Sequence, residues 1–219
     1  MIRLEHLCKR FVTGGVLRVV ADGINLTLPP RRAIALLGRN GAGKSSLMRM
    51  IAGTMAPTSG RVHVTGSVSW PVGFAGHFHP EMTGAQTARF VARTSGVDTD
   101  MLQDIVGDLA GLGPHYTLPV GSYSAGMKAR LAFALSMGIH FDTYLVDEVT
   151  SVGDAAFREK SQALLLERLK HSGAIVVSHS MPVLRGLCTM GAVLEAGRLT
   201  LYDDLEEAIA LHMRQMAAG

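Results

Sequence analysis

The sequence predicts an α/β protein organised around a mostly parallel sheet, and three observations carry that expectation. Apolar runs suited to buried strands recur at AIALL (33–37), TYLV (143–146) and AIVVS (174–178). Segments of helical periodicity, Ser46 to Ala52 and Phe157 to Lys170, lie between them. Alternation of this kind puts parallel strands in one sheet with helices on its faces. The chain has the material for it: 219 residues with 47% hydrophobic side chains suffice for one sizeable domain, or for one domain with a small inserted lobe.

Along the chain, MIRLEHLCKRF and VVADGINLTL come first as short, alternating segments, and they read as antiparallel strands that the turn PPRR ends. The strand at 33–37 and the helix from Ser46 then open the α/β body. Between about Thr83 and His140 no strand-like run occurs. Helical segments there are broken by SGVD, GLGP and LPVGSYSAG, which predicts a helical subdomain at about 83–140 inserted into the body. The remaining strands and helices complete the sheet, with no internal repeat, and residues 1–219 are expected to form a single domain. The Met and Leu positions of the last thirty residues read as ordinary packing.

Composition excludes several classes of function. Charged residues make up 18%, too few for a long disordered tract in so apolar a chain. The longest apolar stretches fall far short of the roughly 18–20 residues that cross a bilayer. Arg3, Glu5, Lys9 and Arg10 interrupt the region where a signal peptide would need an apolar run, so the protein is expected to stay in the compartment that makes it. Cys8 and Cys188 lack metal-type spacing and read as two reduced thiols. The net charge of +3 is spread without a basic block. That argues against a nucleic-acid partner and leaves a nucleotide, a glycan or a lipid headgroup as the anionic neighbour.

The chemistry concentrates in GRNGAGKSS, where Gly38, Gly43, Lys44 and Ser45 fit the phosphate-loop pattern between a buried strand and a helix. Gly38, Gly41 and Gly43 allow the backbone through Arg39, Asn40, Ala42 and Ser46 to turn its N–H groups toward phosphate oxygens. The helix presents its positive end to the same anion. Lys44 would reach the β- and γ-phosphates of a nucleoside triphosphate, with the Ser45 hydroxyl on Mg²⁺. The strand at 143–146 runs into Asp147 and Glu148, an acidic pair that alone would read as a solvated turn. Beside a phosphate loop, Asp147 would hold Mg²⁺, directly or through water, and Glu148 would polarise the attacking water as general base. In YSAGMKARLAFALSM, Ser124 opens a helix as its N-cap.

Together with that loop, SAGM (124–127), LVDE (145–148), SVGD (151–154) and VVSHS (176–180) stand in the order and spacing of the ATP-binding cassette ATPases of membrane transporters, which almost the whole chain resembles. The resemblance implies ATP and Mg²⁺ as ligands. It also implies a homodimer in which Ser124 and the Gly126 backbone of one chain meet the γ-phosphate held by the other. Asp154 would connect the two sites, and His179 would contact the γ-phosphate. Phe11 is the candidate for stacking on adenine, with a core role as its alternative. Two departures stand out. Ala125 and Met127 replace the glycine and glutamine usual in the signature, which implies slower turnover with the site still formed. The glutamine usual after the core strand is absent from 67–84, leaving His77, His79 or a water to replace it.

The stretches SWPVGFAGHFHPEMTG and VDEVTSVGDAAFREK resemble more narrowly the subgroup that exports bacterial capsular polysaccharide, with O-antigen and teichoic acid exporters as relatives. This implies a peripheral ATPase on the cytoplasmic face of the inner membrane. A separate dimeric transmembrane permease would dock on Trp70 to Thr83 and handle the polysaccharide itself. Many O-antigen ATPases continue into a carbohydrate-binding domain, whereas this sequence ends at Gly219, which favours capsule. A soluble ATPase of the same fold acting on ribosomes or DNA is the alternative from another class. Such proteins resemble two fused cassettes or carry coiled-coil insertions, and this sequence does neither.

Overall fold

The computed structural model describes residues 1–72, 78–147 and 155–217. The chain divides into two compact units.

The first unit holds two sheets. Strands β1 (Ile2–Thr13), β2 (Val16–Leu28) and β4 (Ser59–Val64) form an antiparallel sheet in the order β2-β1-β4. β1 and β2 are longer than the short strands the sequence pattern suggests. Their register shifts between Leu4 and Leu7, between Leu7 and Lys9, and between Lys9 and Arg10. Each shift re-phases the side-chain alternation, so one long strand looks in the sequence like short unrelated pieces. Gly14 and Gly15, at φ of 58° and 78°, make the two-residue turn of the hairpin, a backbone that ordinary side chains resist.

The second sheet has the order β5-β6-β7-β3-β8-β9, from β5 (Val68–Val72), β6 (Thr143–Asp147), β7 (Gly173–Val177), β3 (Ala33–Leu37), β8 (Met190–Glu195) and β9 (Arg198–Tyr202). Strands β6, β7, β3 and β8 run parallel, and β9 pairs antiparallel with β8. The three strands expected from their apolar runs are among the parallel four, so the α/β expectation is met. β7 is buried throughout, and Leu145 and Val176 have no exposed surface. Ser69 of β5 is fully buried, and its Oγ accepts the amide of Leu145 at 2.9 Å, which removes the desolvation cost of that hydroxyl. Helix α1 (Lys44–Ile51) buries Leu47, Met48, Met50 and Ile51 in the core shared with Leu36, Leu145 and Ile175. Helices α6 (Met181–Leu187) and α7 (Leu205–Ala217) belong to the same unit. α7 packs close on β8: a Cβ at Gly191 would collide with that of Ala208.

The second unit is helical. It contains α2 (Gly84–Ser95), α3 (Thr99–Ala110), α4 (Ala125–Gly138) and most of α5 (Ala155–Leu169). Thr83 and Gln86 close a reciprocal capping box on α2 at 3.0 and 2.9 Å, Asp98 caps α3 at 2.8 Å, and Gly96 and Gly111 end these two helices in the left-handed conformation. Packing is tight. A Cβ at Gly84 would lie 2.7 Å from both Tyr116 and Tyr123, and one at Gly138 would lie 2.6 Å from Leu102. Burial pushes the Tyr116 phenol up to about 12, and its hydroxyl donates to the Gln103 carbonyl at 3.1 Å. Phe133 and Phe157 meet edge to face at 5.8 Å, with the Arg130 guanidinium 4.8 Å from the Phe157 ring.

Burial also pushes the Cys188 thiol up to about 12, so it stays protonated at neutral and mildly alkaline pH, whereas Cys8 is half-buried. Alkylation with iodoacetamide at pH 8 should therefore modify Cys8 well before Cys188, and both together in denaturant. Peptide mapping that finds Cys188 modified first in the native protein would contradict this packing.

Candidate functional site

The site lies at the carboxyl ends of the parallel strands, where open α/β sheets place their ligands. The loop 38–43 leaves β3 and turns into α1. Its glycines are demanded by close neighbours. At Gly38, with φ at 153°, a Cβ would sit 2.5 Å from the Leu194 carbonyl of the adjacent strand β8. At Gly43, with φ at 107°, a Cβ would collide with Val20 of β2. Gly43 is also the N-cap of α1, which has no side-chain cap and no acidic residue in its first turn, so no carboxylate of the helix itself offsets its positive end.

Lys44 folds back over this loop. Its ammonium donates to the carbonyls of Gly38 at 2.6 Å and Arg39 at 3.1 Å, while the Ala42 amide donates to Arg39 at 3.0 Å. The charge is felt behind the loop as well. His212 of α7 is held below its ordinary value first by burial and then by Lys44, with Glu195 acting in the opposite sense.

A cavity of about 550 Å³ opens on the loop. Asn40, Gly41, Gly43, Lys44, Ser45 and Ser46 form one wall, Asp147 and His179 another, and Phe11, Arg18 and Val20 of the β1–β2 hairpin a third. Asp147 ends β6 level with Val177 of β7, which also lines the cavity, and His179 follows two residues later. Register alone thus carries a carboxylate and an imidazole to the loop. The loop and strand-end walls are polar and charged, and the hairpin wall adds an aromatic ring, an apolar side chain and a guanidinium, an arrangement suited to a ligand with an anionic end and an aromatic end.

Of the residues singled out in the sequence, Phe11, Asn40, Gly41, Gly43, Lys44, Ser45, Ser46, Asp147 and His179 line this cavity, and Gly38, Arg39 and Ala42 belong to its loop. Phe11 is half-buried with the Lys9 ammonium 4.9 Å from its ring centre, so it presents aromatic surface to the cavity rather than sitting wholly in the core. Ser124 and Gly126 lie in the helical unit. Ser124 caps α4, accepting the Met127 amide at 3.2 Å, as its sequence position suggests. Glu148, Asp154 and His77 lie outside the described residues, as does part of the expected docking stretch from Trp70 to Thr83. His79 is exposed.

Sequence reasoning missed Arg18, Val20 and Val177. The first two were within reach. A two-glycine turn at 14–15 pairs Thr13 with Val16, hence Phe11 with Arg18, and places Val20 on the same face of the strand.

Comparison with known proteins places this geometry in context. A family model described as ABC transporter matches residues 21–151. The capsule polysaccharide export ATP-binding protein CtrD of Neisseria meningitidis serogroup B is 42% identical over 208 residues, covering 95% of this chain and 96% of CtrD. The polysialic acid transport ATP-binding protein KpsT of Escherichia coli is 40% identical over 212 residues, covering 95% of each. Among solved structures, the ATP-binding cassette MJ0796, determined as a post-hydrolysis dimer bound to ADP and Pi, superimposes with a TM-score of 0.79 at 18% identity, over 94% of this chain and 99% of that one. With glycine loop, strand-end carboxylate and histidine gathered on one cavity, and with the family's pattern running through most of its length, the chain belongs to the ABC transporter family.

Proposed function

We propose that the chain is the ATP-hydrolysing subunit of a transporter that exports capsular polysaccharide across the bacterial inner membrane. The observation that carries this reading is the cavity itself, which combines the glycine loop, Lys44, and the Asp147 and His179 side chains with an aromatic wall at Phe11. The similarity to CtrD over 95% of this chain supports the choice of cargo. Among the described residues no helix is long and apolar enough to cross a membrane. The reading therefore includes a separate dimeric permease that carries the glycan, with the ATPase on its cytoplasmic side, and the whole chain acts as one nucleotide-binding domain.

In this mechanism the loop amides and Lys44 bind the β- and γ-phosphates, and Phe11 faces the adenine. Ser45 and Asp147 offer hard oxygen donors on one cavity, which fits Mg²⁺ bound through few protein ligands. When bound there, Mg²⁺ would neutralise negative charge on the phosphates. Glu148 takes a proton from the attacking water, whose oxygen bonds to the γ-phosphorus as the bond to the bridging oxygen of ADP breaks. Lys44 and His179 stabilise the charge on the transferred group.

A second copy completes the site. The Ser124 oxygen already accepts from Met127, and its hydroxyl hydrogen remains a donor for phosphate. Among the described residues, a Cβ at Gly126 would meet only Ser124 Oγ, at 3.9 Å, so these neighbours do not call for glycine there. Both features suit the first turn of α4, which carries no acidic residue, for receiving the γ-phosphate held by a partner, with Asp154 linking the two sites.

Gly43→Ala should weaken ATP binding by at least tenfold, since the added methyl drives into Val20 and distorts the cradle, and isothermal titration would show it. Glu148→Gln should trap an ATP-bound dimer on size exclusion with Mg²⁺. Hydrolysis at the parent rate by that variant would remove Glu148 as the base. Deletion of the gene should leave polymer inside the cell and none on its surface, with Lys44→Ala failing to restore export. Normal surface capsule with loss of O-antigen would reassign the cargo.

A further inference from the structure

The β1–β2 hairpin brings to the cavity a cation that the phosphate-loop pattern does not include. We propose that Arg18 is a nucleotide-binding residue whose guanidinium grips the polyphosphate chain from the hairpin side of the cavity, an inference that rests on the nucleotide-binding reading above.

Placement comes first. Phe11 and Arg18 are directly paired across the hairpin, and opposed residues of an antiparallel pair share a face. Val20, two positions on, shares it too and presses on Gly43. All three line the cavity, so the strand aims Arg18 at the same ligand as Phe11.

Contact comes second. Arg18 Nη2 donates to the Gly41 carbonyl in the middle of the phosphate loop. A Cβ on Gly41, whose φ is +80°, would come within 2.7 Å of that nitrogen, so the guanidinium lies directly against the loop. One exposed bond to a carbonyl contributes little to folding, and among the described residues no carboxylate is paired with Arg18. Arg10 on the same hairpin, by contrast, faces Asp22 at 3.5 Å.

Chemistry comes third. A guanidinium offers five N–H donors in a planar fork, so one bond to Gly41 leaves others to meet phosphate oxygens bidentately. Lys44 is a single point charge already drawn toward the carbonyls of Gly38 and Arg39. A second cation on the other wall of the cavity answers the charge of a polyphosphate that one ammonium does not neutralise.

The test is calorimetric titration of the full-length wild type, Arg18→Ala, Arg18→Lys and the same-charge control Arg10→Ala with ATP and with tripolyphosphate, a probe lacking base and ribose. Circular dichroism checks that each variant keeps its fold. Arg18→Ala should bind both ligands about 10- to 100-fold more weakly, the range of a charge-assisted contact. Arg18→Lys should fall between it and the wild type, and Arg10→Ala should match the wild type. ATP binding by Arg18→Ala within twofold of the wild type would overturn the inference. So would a loss seen for ATP and not for tripolyphosphate, because that pattern assigns Arg18 to the base. A wild type that binds no ATP would instead overturn the nucleotide reading, and this inference with it.

Discussion

The site depends on how closely the backbone of residues 38–43 is pressed by its neighbours. Leu194 of β8 leaves no room for a side chain at Gly38, and Val20 of β2 leaves none at Gly43. Two different sheets therefore hold one loop from either end. The loop cannot relax outward without losing its packing, and its glycines can hold the positive φ values this confinement imposes. In the proposed function, amide groups that would otherwise be ordinary turn donors serve as a fixed anion cradle. The cost of ordering them is met in folding rather than in binding, which is the physical content of preorganisation.

The rest of the first unit follows from that confinement. The parallel strands are buried almost throughout, and their register brings Asp147 and the residues after Val177 to the same edge of the sheet as the loop that follows β3. The antiparallel hairpin serves a different end. It carries aromatic and cationic side chains over the loop, with Phe11 of β1 and Arg18 and Val20 of β2 lining the cavity. The helical unit supplies capped helices and, at the start of α4, a capping serine followed by Gly126, where the described neighbours leave room for a side chain.

Much of this was legible in the sequence, and the reasons differ by element. β3, β6 and β7 were readable because strands buried on both faces are continuous apolar runs. β4 was not, because SGRVHV is mostly exposed and its place is set by pairing with β1. β8 was hidden by Met190 and Gly191, the latter kept small by Ala208 of α7, a neighbour that only the tertiary structure reveals. The phosphate loop was legible because its chemistry is local. Val177 was not, since it reaches the cavity only through the register of β6 on β7. Arg18 lies between these cases: the Gly14–Gly15 turn fixes its partner, yet nothing local says that the hairpin folds over the loop.

The central claim is that nucleotide occupies the cavity between the hairpin and the loop, with its base toward Phe11. Photolabelling with 8-azido-ATP, followed by peptide mapping of the wild-type chain, tests it most directly. The account predicts covalent label on the peptide spanning the β1–β2 hairpin, protected by excess ATP. Label confined to other peptides, with none on the hairpin, would contradict it.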